Sequence, residues 1–356
     1  MRRIVQFTPS IVYGDAVSND IFAMHEVIES LNYRSEIYAY AIGKKLSATV
    51  KEIVNYVPKK TDVIIYHMSI GSEISQMVKE LDVAKKIMVY HNITEARFLK
   101  NISAEIYSRC KEGREQLKEL SQCMDASLSV SDYNGDELKR LGYKNVRTLP
   151  IILKMEDFKT TKPSAEIINK YNDGYANIVF VGRVAPNKKF EDVIKSFYLY
   201  NKYINAKSRL FLVGNPEGMS NYKNSLDYLI DELGVPNVIQ TGKVPFPDIL
   251  AYYRAAHLFL CMSEHEGFCV PLIESMLFDV PILAYESCAI PYTLGNSGVM
   301  VKEKDYTLIA ETMNAILTDQ KLKEELLKKQ RERLAFFDGE KIKEQFKNEL
   351  IRIIED

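Results

Sequence analysis

The feature that most limits how this chain can fold is a recurring alternation. Short unbroken apolar runs are followed by longer stretches with one apolar face. Residues 62–66 (DVIIY) and 86–90 (KIMVY) are such runs. A strand covered on one face alternates polar with apolar, whereas an unbroken run marks a strand covered on both, as in a parallel sheet between helix layers. Runs at 3–8, 35–40 and 126–130 complete the first set, and 18–31, 73–81 and 104–120 read as the intervening helices. In 18–31 the inward side is formed by Ile21, Phe22, Met24, Val27, Ile28 and Leu31. Strand–helix–strand repetition implies right-handed crossovers and a doubly wound sheet.

The alternation pauses at Leu149-Pro150-Ile151-Ile152, and the polar stretch 154–162 with Pro163 reads as a linker. It then restarts, with strands at 177–182, 209–214, 238–242, 257–262 and 281–285, and helices at 191–200, 225–233, 247–256 and 271–278. Residues 306–356 read as helices rich in Lys and Glu. At 356 residues the chain exceeds one ordinary core, at about 150 residues per domain. We therefore expect two domains, 1–152 and 163–337. Two such α/β domains place ligands at the carboxyl ends of the strands, in the cleft between them.

Composition narrows the function classes. With 46% hydrophobic and 27% charged residues, the chain is neither disordered nor fibrous. Lys+Arg 47 against Asp+Glu 48 disfavours non-specific nucleic-acid binding, which depends on phosphate neutralisation. Five cysteines without a CxxC pair argue against a disulfide framework or structural zinc, and for a reduced, cytoplasmic setting. The apolar run after Met1-Arg2-Arg3 is too short for a secretory signal, and no stretch approaches the roughly 20 apolar residues of a membrane span. The expectation is a soluble protein, or at most one peripheral on the inner membrane face.

Four constellations carry chemistry. In Gly182-Arg183-Val184-Ala185-Pro186-Asn187-Lys188-Lys189, three cations crowd the start of a helix that is already positive. That pattern suits an anion such as a diphosphate, although the side chains could also swing into solvent and be balanced by Glu191 and Asp192. In Glu266-Gly267-Phe268-Cys269-Val270-Pro271-Leu272-Ile273-Glu274, two carboxylates have seven residues between them. Glu274 is the lone charge from Gly267 to Phe278, so the helix reads as buried, and ribose hydroxyls would supply the donors this carboxylate needs. Glu266 fits equally an acid placed by the helix dipole and a functional group. The loop Tyr13-Gly14-Asp15-Ala16-Val17-Ser18 precedes a helix that Ser18 could cap, and it lacks the GxGxxG dinucleotide fingerprint. His67 and His91 each end a strand, where an imidazole serves either structure or sugar binding. There is no HExxH, DxD or other metal spacing, so no metal and no cofactor are expected.

GRVAPNKK resembles the G-R-x4-K element of retaining family 4 glycosyltransferases, with Arg183 and Lys188 at the matching positions. EGFCVPLIE resembles their E-x7-E motif, Glu266 and Glu274. The likeness runs from about 177 to 300, and is weaker in the first half around Tyr90-His91-Asn92-Ile93-Thr94. It implies the GT-B fold: two Rossmann-like doubly wound domains with an inter-domain cleft. It also implies a last helix, about 338–356, packed back on the first domain. By the same resemblance Arg183 and Lys188 hold the donor diphosphate and Glu274 the ribose. Glu266 holds the donor sugar, the amides of Phe268, Cys269 and Val270 lie beside it, and His91 stabilises the sugar from the acceptor side. The base lies near Gly242, Lys243 and Val244, and Gly14 and Asp15 are further contacts. Cys269, Lys189 and Asp279 stand where the family has glycine. The implied activity is metal-independent, retaining transfer of a hexose from a UDP- or GDP-sugar to a carbohydrate or lipid-linked saccharide acceptor, in polysaccharide synthesis. The rival readings are a nucleotide-sugar epimerase of the same fold and a non-catalytic nucleotide-sugar-binding protein.

Overall fold

The computed structural model describes residues 2–355. The chain forms two compact units. One comprises the residues up to Arg97, Glu105–Met155 and the chain from Phe337 on; the other comprises Phe98–Ala104 and Glu156–Phe336.

The first unit holds a seven-stranded sheet. Its strands are β1 (Arg3–Ile11), β2 (Arg34–Ile42), β3 (Lys51–Glu52), β4 (Val63–Met68), β5 (Lys85–Tyr90), β6 (Ala126–Ser129) and β7 (Val146–Thr148). They pair in parallel in the order β3-β2-β1-β4-β5-β6-β7. Every residue of β4 is buried, as the unbroken apolar run requires. The helices are α1 (Ala16–Ser30), α2 (Glu73–Glu80), α3 (Ala104–Leu120) and α4 (Asp132–Arg140). The strand order reverses between β1 and β4, the switch point at which doubly wound sheets bind ligands.

The second unit repeats the plan with β8 (Ala176–Val181), β9 (Ser208–Val213), β10 (Val238–Gly242), β11 (Leu258–Cys261), β12 (Ile282–Tyr285) and β13 (Val299–Val301). Their order is β10-β9-β8-β11-β12-β13, again parallel, with the switch point between β8 and β11. The helices are α5 (Met155–Thr160), α6 (Ala165–Tyr171), α7 (Phe190–Tyr203), α8 (Ser220–Leu233), α9 (Phe246–Ala255), α10 (Val270–Leu277), α11 (Ile290–Leu294), α12 (Tyr306–Thr318) and α13 (Gln320–Leu334). Gly214, just past β9, must be glycine. A Cβ there would lie 1.9 Å from the Gly182 carbonyl oxygen, so the ends of β8 and β9 approach only because the side chain is absent.

The final helix, α14 (Gly339–Glu355), belongs to the first unit. Ile342, Phe346, Leu350, Ile353 and Ile354 form its buried stripe, and it packs against α1. Arg2 Nη1 donates to the Ile354 carbonyl at 3.3 Å, and Gln345 Nε2 to that of Thr148 at 2.9 Å. The start of the linker is fixed to the same unit: the Ile152 N–H donates to Asp20 Oδ1 at 2.8 Å. Asp20 is fully buried, and burial pushes its carboxyl up to about 7. None of the described helices is long and apolar enough to cross a membrane.

Candidate functional site

The switch point of the second unit gathers the two motifs. The loop after β8 and the loop after β11 leave adjacent strands, and two hydrogen bonds join them. Asn187 Nδ2 donates to the His265 carbonyl at 3.0 Å, and the Glu264 N–H donates to the Asn187 carbonyl at 2.9 Å. Between these loops Lys188 Nζ meets both carboxylate oxygens of Glu266, at 2.7 and 2.6 Å. The pair is largely withdrawn from water, with side-chain exposures of 18% and 6%. Burial works to discharge Lys188, and the Glu266 charge more than offsets that, so its pKa lies above the usual lysine value.

The crowding of cations at a helix start resolves differently from its sequence reading. Lys188 lies in a 3₁₀ turn, Pro186–Lys188, before the helix, and points at Glu266. Lys189 is paired with Glu191 at 3.3 Å and Glu264 at 3.7 Å, as acidic balancing would have it. Asp192 faces Lys304 at 2.5 Å instead, and the first N–H of α7, on Phe190, donates to the Tyr222 hydroxyl at 3.0 Å. Arg183 is exposed, and its one hydrogen bond is a long contact, 3.5 Å, to the Glu217 carbonyl. Of the three cations it is the one whose charge no carboxylate takes.

Cys269 caps α10 with φ 69° and ψ 64°, Lys189 precedes α7 at φ 54°, and Asp279 follows α10 at φ 53°. All three positions marked by the resemblance as glycine sites are thus left-handed, a conformation that disfavours side chains. The left-handed turn at Cys269 lets α10 start at Val270, with Pro271 in its first turn, where the missing proline N–H costs nothing. Phe268 and Cys269 are buried and Val270 is half-buried; Thr293 Oγ1 donates to the Phe268 carbonyl, buttressing the turn. Cys261, Glu266 and Cys269 bring their potential ligand atoms within 4.8 Å of one another. Hydrogen bonding to Cys261, with burial, pushes the Cys269 thiol well above its usual range, and Glu266 is already engaged by an ammonium on both oxygens.

Glu274 corrects its own expectation. It is half-buried rather than enclosed, and its Oε2 accepts from the Tyr253 hydroxyl at 2.6 Å. The protein therefore supplies one of the donors that sequence reasoning left to a ligand, and Oε1 has no protein donor among the described residues. Burial pushes the Glu274 carboxyl up to about 6, with the Tyr253 bond pulling the other way. Tyr253 sits on α9, and nothing local in sequence marks it as a partner of α10. Asn187, which joins the two loops, was equally unmarked.

Gly242 ends β10 at φ 65°, followed by exposed Lys243 and half-buried Val244. A small hollow beside them is lined by Val184, Gly214, Pro216, Gln240 and Gly242. In the first unit, Gly14 and Asp15 are exposed, and Asp15 rather than Ser18 caps α1, accepting from the Ser18 N–H at 3.1 Å. His67 is fully buried within β4, and His91 directly follows β5. The two rings stack with centroids 5.4 Å apart, and His67 Nδ1 lies 3.1 Å from His91 Nε2.

Residues 162–333 match the family described as Glycosyl transferases group 1. That match covers most of the second unit, and the two Rossmann-like units are those of the GT-B fold. Among curated relatives, the chain is 25% identical over 219 residues to O-antigen chain mannosyltransferase B of Escherichia coli, covering 58% of this chain and 56% of that one. It is 29% identical over 156 residues to the capsular polysaccharide biosynthesis glycosyltransferase CapM of Staphylococcus aureus, covering 43% and 39%. The chain thus spans about half or less of the length of these relatives. Solved structures agree over nearly its whole length. Sucrose-phosphate synthase from Thermosynechococcus elongatus superposes with a TM-score of 0.76 at 16% identity, over 99% of this chain and 98% of that one. HepE of Anabaena, in complex with UDP-glucose, gives 0.77 at 15% identity, over 99% and 100%. At such identities the likeness speaks for the fold.

The raised pKa of Glu274 sets a direction for stability. Its native state holds the proton more tightly than the unfolded chain, whose value is near 4.5. That contribution is fully present below about 4.5 and is lost as pH rises through about 6. Glu274→Gln removes it. Thermal unfolding followed from about pH 4.5 to 7.5 is expected to show the variant gaining on the wild type as pH rises. A gap that stays constant with pH contradicts the assignment.

Proposed function

We propose that this chain is a retaining, metal-independent glycosyltransferase that moves a hexose from a UDP- or GDP-sugar to an acceptor hydroxyl, in polysaccharide synthesis. The observation that carries the reading is the Lys188–Glu266 pair at the carboxyl ends of adjacent strands, with exposed Arg183 on the same loop as Lys188, in a region that matches the group 1 glycosyltransferases. The names of the relatives, a mannosyltransferase of O-antigen chains and a capsular polysaccharide enzyme, support the setting. The UDP-glucose in HepE supports the donor class. The acceptor would be a carbohydrate or a lipid-linked saccharide, and a lipid-linked one would draw the enzyme to the cytoplasmic membrane surface.

In this reading the bond between the sugar C1 and the β-phosphate oxygen breaks, and the departing diphosphate gains negative charge. Arg183, free of any carboxylate, and Lys188, oriented by Glu266, receive that charge. The acceptor oxygen bonds to C1 on the face the diphosphate leaves, and its proton passes to a phosphate oxygen, so configuration is kept. Glu274 takes a ribose hydroxyl through Oε1 while Tyr253 holds Oε2, and Glu266 orients the sugar. Lys188 holds the position on Glu266 that a metal ion would need, and the leaving group is met by cationic side chains instead, which supports metal independence.

Two outcomes are expected. Arg183→Ala should lower turnover about 10²-fold or more with little change in melting temperature, because its side chain is exposed. Lys188→Ala should lower turnover at least as much and also lose stability, since it strands a buried carboxylate at about 3–5 kcal/mol. Rates should therefore be compared per folded molecule. Wild-type rates per folded molecule in both variants contradict the diphosphate assignment. Transfer assayed with EDTA should continue at nearly its original rate; full loss restored by Mg²⁺ or Mn²⁺ contradicts the metal-free mechanism.

A further inference from the structure

We propose that Gln6 and His67 are positioning residues that lock His91 as the tautomer protonated at Nε2, leaving its Nδ1 as a hydrogen-bond acceptor for a hydroxyl of the bound sugar. The ligand half of this inference rests on the glycosyltransferase reading above; the tautomer half stands on geometry alone. The three side chains come from neighbouring strands at the switch point of the first unit: Gln6 from β1, His67 from β4 and His91 from the residue after β5.

The proton positions follow one from another. Gln6 Nε2 lies 3.2 Å from the Ile21 carbonyl oxygen, which can only accept. This fixes which end of the Gln6 amide is nitrogen, and turns its Oε1 toward His67 Nε2 at 2.9 Å. An amide oxygen also only accepts, so His67 Nε2 carries the hydrogen. His67 is wholly buried and faces no carboxylate, and burial together with His91 holds its pKa well below the ordinary value. It is therefore neutral, and its Nδ1 is bare. His91 Nε2, 3.1 Å from that bare nitrogen, must be the donor. Burial holds the His91 ring neutral as well, at about 3, so its Nδ1 carries a lone pair and no proton.

That atom is buried and has no hydrogen-bond partner among the described residues. The other three ring nitrogens of the relay, and both ends of the Gln6 amide, are satisfied. A chain of three buried groups that satisfies every member but the last, at a ligand-binding switch point, calls for a donor at that last atom. A bare imidazole nitrogen in a neutral setting takes an O–H and gives nothing to an anion. It therefore recognises the hydroxyls of a neutral sugar rather than a phosphate. Sequence reasoning set His67 and His91 side by side as two strand ends; the structure makes one of them the device that decides what the other can bind.

The test has two arms on the full-length protein. The first labels histidine with ¹⁵N and reads two-bond ¹H–¹⁵N correlations from the five histidines, assigned with His67→Gln and His91→Gln. His67 and His91 should each show a protonated Nε2 and a bare Nδ1, unchanged down to about pH 5, where an ordinary histidine is an imidazolium. His91 protonated at Nδ1, or charged, overturns the inference whether or not the protein is a transferase. The second arm measures the preference for UDP-glucose over UDP, and for GDP-mannose over GDP. His67→Leu, which leaves the His91 Nε2–H without an acceptor, should cut the wild-type preference about tenfold. His67→Gln keeps an amide oxygen for His91 and an amide N–H for Gln6, and should restore it to within about threefold. Equal preference in wild type and His67→Leu overturns the role in hydroxyl binding. Failure of the wild type to bind either nucleotide sugar overturns the proposed function and the ligand half with it, while the resonances still decide the tautomer.

Discussion

The ion pair between Lys188 and Glu266 is the interaction on which the rest of the second unit's chemistry depends. It joins the loops of two adjacent strands whose sequence positions are 78 residues apart. Either group alone at such burial would be a liability, since an uncompensated charge in that setting costs about 3–5 kcal/mol. Together they hold an ammonium in place at a site a diphosphate would enter, without the disorder of a free lysine. Asn187 and His265 clamp the loops around the pair. Gly182 and Gly214 let the ends of β8 and β9 approach, and Gly214 lines the hollow beside β10. The site is thus made of backbone geometry first and charge second.

The two units use one strand order with opposite electrostatics. At the switch point of the second, charges are paired and one guanidinium is left without a carboxylate. At that of the first, the groups are a glutamine amide and two neutral imidazoles. The difference suits ligands of different character, an anionic nucleotide on one and uncharged hydroxyls on the other. Fold alone does not assign these roles, because the same doubly wound sheet hosts many activities. The proposed roles rest on the side chains at the strand ends.

Much of this was legible in the chain. Unbroken runs such as DVIIY and HLFLC gave the central strands because burial on both faces leaves no room for alternation. The three left-handed positions at Cys269, Lys189 and Asp279 were visible only through the family's glycines, since nothing in their own chemistry announces them. Other elements left no trace. β3, β7 and β13 are two or three residues long, too short for a pattern, and α4 buries only Asn134, Gly135 and Leu138 of its nine residues. Partnerships were hidden for a different reason. That Tyr253 reaches Glu274, or that Asn187 joins His265, depends on which helix lies over which strand end. The Gln6–His67–His91 relay depends on strand register, which no local sequence specifies.

A crystal structure with UDP or GDP bound tests the central claim most directly. The account predicts the diphosphate within hydrogen-bonding distance, about 3 Å, of both Lys188 Nζ and the Arg183 guanidinium, with a ribose hydroxyl on Glu274. A nucleotide seated elsewhere on the chain, or one whose phosphates leave Lys188 wholly engaged with Glu266 and out of reach, would contradict it.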